Sequence, residues 1–138
     1  KIIKSDKIFM GEKDFQQLFL VKNYLKNKSK SKIVPCKTIR DNHKLALSSR
    51  NLHMNNKQLS IARLISKNLS NFKKKLVNEK DIKSLIYIKK KELNNLEDIK
   101  IEYLELRNKF SLKKTLKTKN SKIFIAYYVG KIRLIDNF

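Results

Sequence analysis

Two short stretches of this chain hold residue types suited to phosphate chemistry. Gly11-Glu12-Lys13-Asp14-Phe15-Gln16-Gln17 reads as a strand-to-helix junction, where backbone N–H groups and the positive end of a helix favour an anion. Lys13 adds a mobile cation there. Ser48-Ser49-Arg50-Asn51 places two hydroxyl donors, a guanidinium and an amide in consecutive loop residues, a set that can hold an oligophosphate. Taken singly, neither stretch is specific. Ser-Ser-Arg is common, and Lys-Asp at a helix start also serves as a cap and as surface charge.

The elements that must position these residues follow from periodicity and punctuation. Ile8-Phe9-Met10 is expected to end a short buried strand closed by Gly11. Apolar residues Phe15, Leu18, Phe19 and Leu25, with Val21 widening the stripe, predict a helix from Asp14 to about Lys26. Lys32-Ile33-Val34-Pro35 predicts a second short strand, so the first 37 residues read as a strand, helix, strand unit of the parallel α/β kind. Residues 38–51 carry no clean period and read mostly as loop. A long helix is predicted from Asn55 or Asn56, with Ala62, Ile65, Leu69, Phe72 and Leu76 as its core stripe. Another is predicted from an Asp81 cap through Ile82, Leu85, Ile86, Leu93 and Leu96. Strands are predicted at Ile99 to Arg107, with Ile99, Ile101 and Tyr103 on one face, and at Ser121 to Val129. Gly130-Lys131 then turns into a last strand through Ile132 and Leu134. This second part reads as α+β with an antiparallel sheet.

Composition sets the outer limits. The chain has 138 residues, 34 of them Lys or Arg and 12 Asp or Glu, for a formal charge of +22. Its 41% hydrophobic content supplies a core and argues against wholesale disorder. The single cysteine, Cys36, permits no intramolecular disulfide, which fits a reducing, cytoplasmic setting. His43 and His53 lack the partners of a zinc shell, and they read as surface or packing residues. No apolar run is long enough to span a membrane, and Lys1-Ile2-Ile3-Lys4 lacks the apolar centre of a secretory leader. The positive charge raises the alternative of a basic nucleic-acid-binding module. Against it, only five of the basic residues are Arg, and Lys73-Lys74-Lys75 and Lys89-Lys90-Lys91 fall on predicted helices, where successive side chains diverge. A helical interaction domain with no small-molecule site is the third reading.

Taken together and in order, Gly11 to Gln17, then Thr38, Arg40 and Leu45-Ala46-Leu47-Ser48-Ser49-Arg50-Asn51, then Arg133-Leu134-Ile135-Asp136-Asn137, resemble the pantothenate synthetase (pantoate–β-alanine ligase) family. The resemblance runs from about Asp6 to the end, with residues 56–98 matching in helical pattern and length. It implies an α/β fold: residues 1–38 would be the last strand, helix, strand part of a Rossmann-like nucleotide-binding domain, and residues 39–138 a small α+β lid. The family's histidine-containing nucleotide motif is not in this sequence, so the chain is expected to be the C-terminal half of an enzyme and inactive alone.

The implied reaction joins pantoate and β-alanine, using ATP and Mg2+, through a pantoyl adenylate with release of AMP and pyrophosphate. The metal's ligands are expected mainly from the other half. By resemblance, Lys13 contacts the ATP phosphates, Asp14 the ribose, Gly11 lies against the nucleotide and the backbone of Ile39 meets adenine. Gln17 would bind pantoate, and Ser48, Ser49 and Arg50 would close over the phosphates; Lys13, Ser48, Ser49 and Arg50 are the candidate catalytic residues. The full-length enzyme is expected to be a homodimer in the cytoplasm, with no metal site of its own in this half and no specific nucleic-acid or membrane partner. One departure bears on loop geometry. Members usually carry Asp-Gly before the Leu-Ala pair, and here His43-Lys44 stand there, so Lys44 is expected to be strained or the loop to take another path.

Overall fold

A computed structural model describes residues 5–138; the charged start Lys1–Lys4, read above as no secretory leader, lies outside the described residues. The chain divides into two compact units, Lys1–Thr38 and Ile39–Phe138.

In the first unit, β1 (Lys7–Gly11) and β2 (Lys32–Cys36) pair in parallel, from Lys7 opposite Lys32 to Gly11 opposite Cys36. A parallel pair needs a crossover, which α1 (Phe15–Leu25) supplies after a 3₁₀ turn over Glu12–Asp14. The helix therefore starts one residue later than its apolar pattern suggests. β1 also departs from the buried strand expected: its residues alternate between exposed and half-buried, and Phe9 is 66% exposed. One helix can cover only one face of a parallel pair, and such strands are buried only when both faces are covered. On α1, Leu18 alone is buried.

The second unit holds the core. Its α2 (Asn56–Leu76) opens on a reciprocal cap, in which Asn55 Oδ1 accepts the Gln58 amide at 2.9 Å and Gln58 Oε1 accepts the Asn55 amide at 3.1 Å. Ala62, Ile65, Leu69, Phe72 and Leu76 form the buried stripe their spacing predicts. α3 (Ile82–Asn94) opens on Asp81, whose carboxylate accepts the Ser84 amide. The two helices pack with the apolar side of an antiparallel sheet ordered β3-β4-β5, comprising Ile99–Asn108, Ser121–Val129 and Ile132–Asn137.

β3 corrects one expectation. A bulge at Glu102 breaks the alternation, so Ile99 and Ile101 share the core with Leu104 and Leu106, and Tyr103 does not. Asn94 Oδ1 accepts the Ile101 amide at 2.7 Å and so satisfies a backbone donor beside the bulge. The turn into β5 uses Gly130 at φ +58°, where an added Cβ would lie 2.9 Å from Gln58 Nε2 of the α2 cap.

Candidate functional site

The first group of candidate residues gathers at the β1–α1 junction. Gly11 ends β1 in ordinary extended geometry (φ −68°, ψ 134°), and a Cβ added there would meet nothing within 4 Å. Neither backbone conformation nor packing therefore demands glycine at this position, which leaves open space against bare backbone. Lys13 and Asp14 occupy the 3₁₀ turn, Lys13 half-buried and Asp14 exposed; Gln17 is exposed on the first turn of α1. Asp14 flanks α1 without capping it through its side chain.

The second group sits on a loop of the second unit. Residues 39–47 fold back on themselves: the Leu47 amide donates to the Ile39 carbonyl and the Asp41 amide to the Leu45 carbonyl, both at 2.9 Å, with Arg40 paired to Ala46. Ile39 is 72% exposed, and its carbonyl is already engaged by this turn. Lys44 at the tip has φ +72°, the left-handed conformation in which glycine is unstrained. His43 and His53 are exposed. Leu45 and Ala46, each 4% exposed, anchor the returning limb.

From that anchor the chain enters a 3₁₀ turn over Ser49–His53, with Ser48 Oγ accepting the Arg50 amide at 3.3 Å. Ser49 and Arg50 are exposed and their side chains carry no hydrogen bond or ion pair among the described residues. Hydroxyls of Ser48 and Ser49 and the Arg50 guanidinium thus stand together as donors. Asn51 behaves differently from the sequence expectation: its amide nitrogen donates to the Ala46 carbonyl at 3.1 Å, so it braces the loop, while Oδ1 is buried without a partner among the described residues.

Sequence reasoning missed what holds this loop. The Arg40 guanidinium makes a two-pronged ion pair with Asp136 of β5, Nη1 to Oδ2 at 2.6 Å and Nη2 to Oδ1 at 2.8 Å. It also donates to the carbonyls of Lys44 and Asn137 at 2.8 and 3.0 Å and lies 4.8 Å from the Phe138 ring centre. Next along the chain, Asp41 accepts Arg63 Nε of α2 at 2.7 Å, while its other oxygen takes the His43 and Leu45 amides at 2.9 and 3.0 Å. Partial burial alone would push the Asp41 carboxyl up, but the Arg63 hydrogen bond and the two amides together hold it below the usual carboxylate range. The adjacent opposite charges Arg40-Asp41, next to the Ser-Ser-Arg stretch, were the signal available in the sequence.

These donors suit phosphate oxygens. No group of three His, Cys, Asp or Glu side chains able to hold a metal ion occurs among the described residues. No helix among them is long and apolar enough to cross a membrane.

The sequence profile of the pantoate–beta-alanine ligase family matches residues 1–138. The chain belongs to this family. It is 38% identical over 144 aligned residues to a pantothenate synthetase of Azobacteroides pseudotrichonymphae, covering 99% of this chain and 50% of that protein. It is 37% identical to one from Clostridioides difficile with the same coverage. The chain thus spans about half the length of the curated ligases it matches. Among solved structures, a pantothenate synthetase from Thermus thermophilus superimposes with a TM-score of 0.86 at 22% identity, over 96% of this chain and 49% of that one, and shares its fold. The ligase from Francisella tularensis, solved with β-γ ATP and β-alanine, gives 0.69 at 30% identity over 96% of this chain and 43% of that chain.

Proposed function

We propose that this chain supplies the C-terminal half of an ATP-dependent, cytoplasmic and homodimeric pantothenate synthetase. On this reading the parallel β1-α1-β2 unit ends a Rossmann-like nucleotide-binding domain, and residues 39–138 form the lid. Membership of the ligase family along the whole chain is the observation that carries the proposal. In the first step a pantoate carboxylate oxygen attacks the α-phosphorus of ATP and pyrophosphate leaves; in the second the β-alanine amine attacks the pantoyl carbonyl and AMP leaves. Neither step needs a protein nucleophile, so positioning and charge stabilisation suffice.

The residues fit those tasks. Lys13 would offset negative charge accumulating on a departing pyrophosphate, and Ser48, Ser49 and Arg50 would supply donors for phosphate oxygens. Gly11 leaves room for the nucleotide against its backbone, Asp14 accepts from ribose hydroxyls, and the Ile39 backbone faces adenine. Gln17 serves the hydroxyl and carboxylate of pantoate. Mg2+ would be held by the other half.

Isotope exchange between pyrophosphate and ATP in the presence of pantoate tests the reading. The isolated chain should show none, because half of the site is expected elsewhere. In the complete enzyme, Lys13→Ala should lower exchange by about a hundredfold or more, the usual cost of removing one preorganised charge-stabilising group, with ATP affinity falling much less. An unchanged exchange rate would remove Lys13 from the site.

A further inference from the structure

The loop that presents Ser48, Ser49 and Arg50 is tied down by consecutive residues of opposite charge, each bound to a different element of the same unit. Arg40 reaches β5 through Asp136 and the Asn137 carbonyl, and Asp41 reaches α2 through Arg63. Arg40 also holds the tip by donating to the Lys44 carbonyl. The Asp136 side chain is 5% exposed and that of Arg40 22%, so this pair is shielded from solvent on both sides, unlike the exposed Lys57–Glu97 pair on the same unit. Four charge-assisted hydrogen bonds from one planar guanidinium fix both its position and its orientation.

From this geometry we infer that Arg40 is a positioning residue for oligophosphate binding: locked on Asp136, it sets the pose in which Ser48, Ser49 and Arg50 face the phosphates. The inference rests on the phosphate role proposed above for those three residues. Arg40 itself need not touch the ligand. Both of its terminal nitrogens, Nη1 and Nη2, are engaged by Asp136, Lys44 and Asn137. A lysine in its place could keep the charge but not the fork, and so could not hold Asp136 and two carbonyls in one plane.

The test uses the complete enzyme containing this chain, inorganic tripolyphosphate as the probe, and residue-resolved amide signals. Three variants are compared with the parent: Arg40→Lys, the neutral pair Arg40→Gln with Asp136→Asn, and Lys57→Gln as a control that loses only an exposed ion pair. In the parent, tripolyphosphate should shift the amides of residues 48–51. In Arg40→Lys and in the neutral pair, amide exchange across residues 45–51 should speed up about tenfold or more and the probe should bind at least about tenfold more weakly there, as expected when a shielded fork is lost. Exchange in the core strand β4 should stay within about twofold, since its own ladder is untouched. Lys57→Gln should change neither. The neutral pair guards against a misfolded single variant, because it leaves no buried charge unpaired. Loop exchange and probe binding that remain at parental values in both Arg40 variants would overturn the positioning role. A parent whose loop amides ignore the probe, while the clamp variants still loosen the loop, would overturn the phosphate role of Ser48, Ser49 and Arg50 and with it the function assigned to the clamp.

Discussion

Lys44 shows how a single residue can carry strain into a site. It holds φ +72° at the tip of the 39–47 turn, where a side chain crowds its own backbone and glycine does not. Its carbonyl is nevertheless one of the four acceptors of Arg40, so the strained conformation is part of the loop's bracing. Lys44→Gly should therefore stabilise the second unit by about 0.5–1 kcal/mol, the strain relieved exceeding the added freedom of the unfolded chain. Urea unfolding at neutral pH measures this, and a destabilised variant would show that the lysine side chain contributes more than its backbone costs. The strain at this position was legible in advance, because the residue departs from the Gly that the family resemblance calls for. Its use was not legible, since Arg40 and Asp136 lie 96 positions apart and nothing local in the sequence pairs them.

Among the elements, α2 was the easiest to read and yet holds the least expected titrating group. Its stripe from Ala62 to Leu76 and its Asn55 cap follow directly from spacing and side-chain type. β3 was harder, because alternation alone cannot register that Asn94 satisfies the Ile101 amide and lets the strand bulge at Glu102. The candidate loop lacks a legible period for the same kind of reason: its order comes from ion pairs to β5 and α2.

On α2, Lys73 donates to the carbonyls of Phe138 and Ser121 at 2.7 and 3.2 Å. Burial, with the nearby Lys122 and Lys109, pushes it down from 10.5 to about 8. Between those values the unfolded chain keeps a proton that the folded chain has shed, so this group makes stability rise with pH across the window from about 8 to 10.5. Comparing urea unfolding at about pH 7.5 and about pH 10.5, the parent should gain about 1 kcal/mol more than Lys73→Met, a figure reduced from the full linkage value because the side chain is only partly buried and solvent screens it. Equal gains in the two proteins would show that Lys73 titrates normally.

At the scale of the whole molecule, the formal charge of +22 is the property that raises nucleic-acid binding. The lysines spread along both units, and the Lys73–Lys75 and Lys89–Lys91 runs lie on α2 and α3, where successive residues point in different directions. Binding to DNA should accordingly be insensitive to sequence, steeply dependent on salt, and on the order of micromolar or weaker at physiological ionic strength. Titrating labelled duplexes of unrelated sequence across a salt series checks this, and a strong preference for one duplex would revive the nucleic-acid reading.

The 96-position span of the Arg40–Asp136 pair also governs the order of events when the chain is made. A ribosome delivers Ser48, Ser49 and Arg50 well before the carboxylate that locks their loop, which sits on the third strand of the sheet. Contacts of such separation close late, after the nearer ones have paid the cost of collapse. The loop therefore remains without its pose until β5 has docked on β4, so Ser48, Ser49 and Arg50 reach their final arrangement only in a unit that has finished folding.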